Sequence, residues 1–129
     1  MSTIRAATLS NIAGTGSPVI TGGELSRGRY NLNGTGTIAA RDSFNIASFT
    51  DNGTGDYTST FSTAFPNADY SVSGIGNTPG VDQAVVVSPV SSGANQAVSS
   101  SRAFFTSNNT ATGAIDCSYA QMQFHGDIP

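Results

Sequence analysis

Bulky and polar side chains alternate in three consecutive stretches between residues 41 and 74. A period of two places every second side chain on the same face of a β-strand. The pattern therefore predicts three strands, each with one apolar face and one hydroxyl-bearing face. The bulky pairs that define these strands are Phe44 and Ile46, Tyr57 and Phe61, and Tyr70 and Val72.

Two sequence breaks separate the three strands. Residues 51–55 read Asp-Asn-Gly-Thr-Gly, and such residues tolerate the positive φ that a tight hairpin requires. Gly53 is expected at that positive-φ position. Pro66 has no amide hydrogen to donate to a ladder, so the segment around it predicts a corner before the third strand. The whole stretch therefore predicts a β-meander.

Three more strands are predicted further along the chain, at residues 81–89, 99–106 and 113–125. The last of them alternates throughout, with Met122 and Phe124 on one face and Ile115 and Tyr119 on the other. Because both faces carry apolar side chains, we expect this strand at the centre of a sheet, or between its own core and a partner.

These patterns predict an all-β fold, an antiparallel β-sandwich of meander or jelly-roll type. With 129 residues, the chain has room for one domain and one modest core. Helix formers are scarce, since there is one glutamate and there are two methionines. The predicted core residues are Phe44, Ile46, Tyr57, Phe61, Tyr70, Val72, Phe104 and Phe124.

The first part of the chain resembles a module of bacteriophage tail-fibre-like proteins, common in phages of marine and cyanobacterial hosts. The resemblance rests on residues 29–37 (RYNLNGTGT), 41–48 (RDSFNIAS) and 50–58 (TDNGTGDYT), and it covers about positions 27 to 74. Tyr30 stands where that family often has tryptophan. The resemblance implies a virion attachment structure, commonly trimeric, and it brings no catalytic residue to this chain.

Residues 1–28 differ from the rest, because they are small, weakly apolar and rich in turn-forming residues. Such a segment can hardly bury enough surface alone to offset its ordering entropy. We interpret it either as an attachment or assembly segment or as a loose leader, followed by a β-sandwich domain at residues 29–129.

Charge and composition exclude several classes of partner. The net charge of −3 disfavours a surface that binds nucleic acid, and no 18-residue apolar run is present that could insert into a membrane. The one cysteine, Cys117, cannot form an internal disulfide, which fits a chain made in the reducing cytoplasm of a host cell. The expected location is the virion.

No residue is predicted to be catalytic, and no metal or other cofactor is expected. The only histidine, His125, and the only thiol, Cys117, lie eight residues apart in the predicted last strand, too far apart to touch. The Gly34-x-Gly36 motif resembles part of a dinucleotide-binding fingerprint, but β-type sequence follows it where a helix is required. The aspartates are interpreted as turn and strand-end residues.

The leading functional interpretation is a non-enzymatic phage surface protein, homotrimeric and in contact with other virion proteins of the tail or capsid. Its loops are expected to contact host-surface glycan, since sugars suit amide and hydroxyl groups beside aromatic rings. Two alternatives remain open, a capsid decoration or cement protein (or small tail adaptor) with the same fold, and a cellular carbohydrate-binding module. The candidate ligand-facing residues are Asn77, Asp82, Asn95, Gln96, Asn108 and Asn109.

Overall fold

The computed structural model describes residues 26–77, 85–89, 96–107 and 113–127. None of these residues is helical, and their regular structure consists of ten strands. The strands are β1 (Ser26–Asn33), β2 (Ala39–Phe44), β3 (Ile46–Gly53), β4 (Asp56–Phe61), β5 (Ser71–Asn77), β6 (Val85–Pro89), β7 (Gln96–Ala97), β8 (Ser100–Ser107), β9 (Gly113–Ala114) and β10 (Tyr119–His125).

The strands form one antiparallel path in the order β2-β1-β10-β5-β6-β8-β4-β3, with the short β7 and β9 beside β8. At the middle of the path, β5 and β6 share a single ladder pair among the described residues, Gly76 with Val85. This weak point divides the path into a first half-sheet (β2, β1, β10, β5) and a second half-sheet (β6, β8, β4, β3). The two antiparallel half-sheets pack on each other, so the predicted all-β sandwich is confirmed. The β-meander predicted at residues 41–74 was wrong, because β4 lies between β8 and β3 while β5 lies between β10 and β6.

A corner at Asn45 joins the two ends of this path. Asn45 has a φ of 58°, a left-handed conformation that asparagine tolerates better than most residues. Its side-chain amide donates to the carbonyl oxygens of Arg27 (2.9 Å) and Thr63 (3.0 Å), and its Oδ1 accepts from the Thr63 amide at 2.7 Å. The corner ends β2 and lets β3 begin in the other half-sheet.

The same corner corrects one predicted core residue. Uninterrupted alternation would place Phe44 and Ile46 on one face of one strand. Because Asn45 breaks the chain between them, Ile46 packs against the core while Phe44 points outward and is 54% exposed. Phe44 was therefore wrongly assigned to the core.

An aromatic cluster occupies the centre of the core. The Phe61 ring packs edge-on against Phe65, Tyr70 and Phe124, at centroid distances of 4.9, 5.7 and 5.1 Å. Phe65 and Tyr70, on either side of the predicted proline corner, stack at 4.4 Å. The fully buried large side chains include Tyr57, Phe105, Phe124, Leu32 and Met122.

The phase of β8 corrects a second core residue. Tyr57 is fully buried and lies opposite Ala103 in the ladder between β4 and β8. Alternation from Ala103 turns Phe105 inward, where it is fully buried, and leaves Phe104 half-buried on the outer face. Because the two phenylalanines are adjacent, the sequence is compatible with either phase of inward and outward alternation along β8. The pairing with β4 decides which phenylalanine is buried.

The last predicted strand is two strands, because residues 115–118 are irregular between β9 and β10. β10 lies between β1 and β5, so its central position is confirmed. Its buried residues are Ala120, Met122 and Phe124. The expectation of a second apolar face was wrong, since Gln121 and Gln123 occupy the outer face of β10 and Tyr119 is its one bulky residue there.

Two Gly-Thr-Gly turns close hairpins at the same end of the sandwich. Residues 34–36 connect β1 to β2, and residues 53–55 connect β3 to β4. Gly53 has a φ of 131°, so its predicted positive φ is confirmed, and Gly55 has a φ of 68°. A third such motif, at residue 14, lies outside the described residues, as does the predicted assembly segment up to residue 25.

Phe61→Ala should lower the free energy of unfolding by about 3–5 kcal/mol, because it removes the ring at the centre of the aromatic cluster. Phe44→Ala provides the matched control and should cost about 1 kcal/mol or less, because that ring is mostly in solvent. Urea unfolding followed by fluorescence measures both variants. Equal losses would contradict the corner at Asn45.

Gly55→Val should destabilise the protein more than Gly53→Val. A Cβ at Gly55 would lie 2.6 Å from the Phe105 carbonyl oxygen, whereas a Cβ at Gly53 meets no atom within 4 Å. Gly53→Val should therefore cost only conformational strain, roughly 1–2 kcal/mol. Thr54→Ser, at the turn between them, should be nearly silent. Thermal unfolding of the three variants tests this order, and a larger loss at Gly53 than at Gly55 would refute it.

Candidate functional site

Two of the six predicted ligand-facing residues lie in the described part of the chain. Asn77 ends β5 and is exposed, and its carbonyl oxygen accepts from the Ser118 hydroxyl at 3.1 Å. Gln96 begins β7 and is half-buried, and its Nε2 donates to the carbonyl oxygen of Tyr70 at 2.7 Å. The remaining four lie outside the described residues: Asp82, Asn95, Asn108 and Asn109.

Asn77 and Gln96 do not form one site. Gln96 contacts Tyr70, which directly precedes β5, while Asn77 is the last residue of that strand. At about 3.3 Å per residue, the two ends of β5 are roughly 20 Å apart. The two residues therefore lie at opposite ends of the sandwich, and each must be considered with its own neighbours.

A buried hydrogen-bond cluster fixes the turn end of the sandwich. The Tyr57 hydroxyl lies 2.8 Å from Asp116 Oδ1 and 3.1 Å from the Gly34 carbonyl oxygen. Asp116 Oδ1 also accepts from the Gly55 amide at 2.7 Å, and the Gly34 amide donates to the Cys117 carbonyl oxygen at 2.8 Å. Burial, and then the bond to Asp116, raise the pKa of Tyr57, which keeps its hydroxyl proton in place. This cluster holds both Gly-Thr-Gly turns.

The two groups considered for nucleophilic chemistry lie apart. Cys117 is fully buried before β10 begins, beside the turn-end cluster, whereas His125 ends β10. The ring Nε2 of His125 lies 3.3 Å from Gln123 Oε1. Within the described ranges, no group of three or more histidine, cysteine or acidic side chains is arranged to hold a metal ion.

The outer face of the first half-sheet is a flat array of mostly uncharged amides, which we call the amide face. Register places its side chains in rows across the four strands. Three of the four exposed large hydrophobic residues found in the described part lie on it: Phe44, Tyr119 and Ile75, with exposures of 54, 43 and 62%. The rows read Phe44–Arg29–Gln123–Ser73 and Asp42–Asn31–Gln121–Ile75, with Tyr119 opposite Asn77 beside them.

The cations of the amide face are bound within it. Arg29 pairs with Asp42, and this pair lowers the pKa of the Asp42 carboxyl below its ordinary range. Arg41 reaches across β1, where its guanidinium lies 4.2 Å from the centre of the Tyr119 ring and donates to the Ser118 carbonyl oxygen. The amide face therefore offers a binding partner amide groups and aromatic rings more than unpaired charges.

One acceptor on this face lacks a donor. Asn31 Oδ1 is buried and receives no hydrogen bond from the described residues. A buried acceptor without a donor costs roughly 1–3 kcal/mol. If the Asn31 amide rotated toward the surface, a donor on a molecule seated on the amide face would remove that cost.

The outer face of the second half-sheet bears hydroxyls and one ion pair. Thr50 and Thr58 lie side by side on β3 and β4, and Arg102 follows on β8. Arg102 binds both carboxylate oxygens of Asp56, at 2.8 and 2.5 Å. These hydrogen bonds from Arg102 lower the pKa of Asp56 below its ordinary value, more than burial raises it.

A cleft opens between the half-sheets beside the single ladder pair of β5 and β6, and we call it the seam cleft. Its volume is about 210 Å³. Val72, Val87, Ala103 and Met122 supply apolar walls. The polar lining includes Gln96, Ser101, Ser71 and Ser88. Of the predicted ligand-facing residues, Gln96 alone lies at this cleft in the described part of the chain.

Sequence reasoning missed both the amide face and most of the seam cleft. Alternation puts Gln121 and Gln123 on the same face as Tyr119, but their neighbours on β1 and β5 depend on strand order. The cleft brings together Val72, Val87 and Met122 from three strands that are distant in sequence. The abundance of amide and hydroxyl side chains in the sequence was the one available signal of these two surfaces.

Comparison of the chain with protein-family models, curated protein sequences and solved structures finds no match. Within residues 26–77, 85–89, 96–107 and 113–127, no helix has the length and apolar character that a membrane span requires.

Acid should destabilise the protein partly through Asp56. Its pKa is lowered in the folded state, so the ion pair contributes stability above the unfolded value of about 3.9, and this contribution is lost as pH falls through the lowered folded-state pKa. Asp56→Asn should flatten the loss of thermal stability below about pH 4. Arg102→Gln should do the same, and the double variant should add little to either. Additive effects would contradict a coupled pair.

Proposed function

We propose that this chain is a non-enzymatic surface protein of a bacteriophage virion, a tail-fibre-like module that assembles as a homotrimer and attaches to host-surface glycan. The observation that carries the proposal is the amide face. Three large hydrophobic side chains are exposed there among neutral amides. Side chains of this kind suit burial against another protein more than a catalytic role.

The amide face supplies the assembly surface in this proposal. Ile75, Tyr119 and Phe44 provide apolar contact, and the surrounding glutamines and asparagines provide hydrogen bonds across an interface. A second copy would also offer donors to Asn31 Oδ1, which none of the described residues satisfies, once the Asn31 amide rotates toward the surface. The sequence resemblance at residues 27–74 adds the virion context, since that module belongs to attachment structures that are commonly trimeric.

Glycan attachment has the opposite requirement to assembly, because it needs a surface that stays free after the amide face is buried. The outer face of the second half-sheet and the seam cleft carry serine, threonine and glutamine side chains, which suit sugar hydroxyls. The net charge of −3 also fits attachment to glycan that is not acidic. A chain with this charge and few cations gains little electrostatic attraction from an acidic surface.

A capsid decoration or cement protein would use the same amide face against a capsid lattice, and a cellular carbohydrate-binding module would be absent from particles altogether. Electron cryo-microscopy of intact phage particles separates these three roles. Density for the chain at the tail supports attachment, density on the capsid supports decoration, and absence from purified particles contradicts both virion roles.

Ile75→Arg should break the trimer into monomers, because it places a charge at the most exposed apolar position of the amide face. Light scattering after size exclusion measures the mass of the full chain at micromolar concentration. Thr50→Arg is the matched control, since it introduces the same charge on the outer face of the other half-sheet and should leave the trimer intact. A wild-type monomer, or equal disruption by both variants, would overturn the assembly proposal.

A further inference from the structure

We propose that the seam cleft is a binding site for one neutral sugar residue, held between the two half-sheets. The inference rests on the proposed glycan attachment and names the site and the class of sugar. It goes beyond the loop residues predicted from sequence, because most of the cleft is built from strand residues.

The cleft exists because the sheet is nearly unpaired at this position. β5 meets β6 through one ladder pair, Gly76 with Val85, so the remainder of β5 has no ladder partner on that side among the described residues. Gly74 lies on the wall of the cleft, where Met122 Sδ and Val87 occupy the space that a side chain on residue 74 would need. The gap is therefore a consequence of register, and glycine at position 74 lets Met122 and Val87 reach this wall.

The size of the cleft suits a six-membered ring. A cavity of roughly 150 Å³ accommodates benzene in a well-studied protein interior. The seam cleft, at about 210 Å³, has room for a ring of that size together with its hydroxyl groups. It is too small for several sugar residues, so the site would hold one residue of a longer chain or its terminus.

The chemistry of the walls matches the two kinds of surface that a pyranose presents. Val72, Val87 and Met122 can contact the weakly apolar face of the ring. Ser101 and Gln96 stand at the same cleft with groups that donate and accept hydrogen bonds. The bond from Gln96 Nε2 to the Tyr70 carbonyl oxygen holds that amide in place before a ligand arrives.

Charge selects a neutral sugar over an acidic one. Of the described residues that line the cleft, Arg102 alone carries a formal charge. Its guanidinium already binds both carboxylate oxygens of Asp56. A uronic or sialic acid would therefore bring a carboxylate into a partly apolar cleft without an available cation, and such burial is costly.

The test is a titration of the isotope-labelled full chain with single sugars, followed by amide and methyl NMR shifts. The neutral probes are glucose, galactose, mannose and N-acetylglucosamine, and the acidic probes are glucuronic acid and N-acetylneuraminic acid. We expect one neutral sugar to bind with a dissociation constant of about millimolar order, as is usual for so small a contact. Shifts should concentrate at Val72, Val87, Ser101 and Met122.

Three variants sharpen the test. Ser101→Ala removes one hydroxyl and should weaken binding about three- to tenfold. Val87→Phe fills the cleft and should weaken binding by more than about tenfold. Thr54→Ala, in the exposed turn between β3 and β4, should leave binding unchanged. If Val87→Phe fails to fold, the Ser101 variant and the map of shifted residues still decide the question.

Absence of binding by every neutral probe, shifts confined to the outer faces, or equal binding of acidic sugars would each overturn the inference. These outcomes differ from failure of the proposed function. A chain found in particles whose cleft takes no neutral sugar overturns the cleft site alone. A chain absent from particles that still binds a neutral sugar at the cleft overturns the virion role and leaves the site standing.

Discussion

The corner at Asn45 is the constraint on which the rest of this fold depends. β2 and β3 are neighbours in sequence but lie at opposite ends of the strand path, so the chain must change half-sheet within one residue. A left-handed asparagine makes that change, and its amide binds the backbone on both sides of the corner. Because the two ends of the path meet here, the half-sheets face each other and the aromatic cluster is buried between them.

The far end of the sandwich is fixed by different chemistry. There the Tyr57 hydroxyl and the Asp116 carboxylate tie two glycine turns to the irregular segment before β10. Each end thus uses polar side chains to hold a sharp change of direction, Asn45 at the corner and Tyr57 with Asp116 at the turns, while the strands between them rely on ladders and apolar packing. Hydrogen bonds from a few polar side chains at the two ends therefore keep the irregular segments in place in a chain that has few charged residues.

Sequence patterns predicted the features that depend on alternation within one strand, and they missed the features that depend on how strands pair. The strands β4 and β5 were recovered, because glycines before β4 and a proline before β5 mark where each begins. The strand predicted through Phe44 and Ile46 is two strands, because Asn45 turns the chain between them. The choice between Phe104 and Phe105 was missed, since it depends on the register of β8 against β4. For the candidate site, the composition indicated amide and hydroxyl groups, and the sequence predicted one residue of the cleft, Gln96. The cleft between β5 and β6 itself cannot be deduced before strand order is known.

The sparse pairing between β5 and β6 makes this edge the weakest part of the ladder. Among the described residues, opening there breaks one ladder contact, while β10 stays paired along its whole length with β5 and along most of it with β1. Phe61 on β4 nevertheless packs against Phe124 on β10, so separating the half-sheets would expose the aromatic cluster that they share. The shared core therefore couples the half-sheets into one cooperative unit, and an opening confined to the edge of β5 is the local fluctuation that hydrogen exchange would resolve.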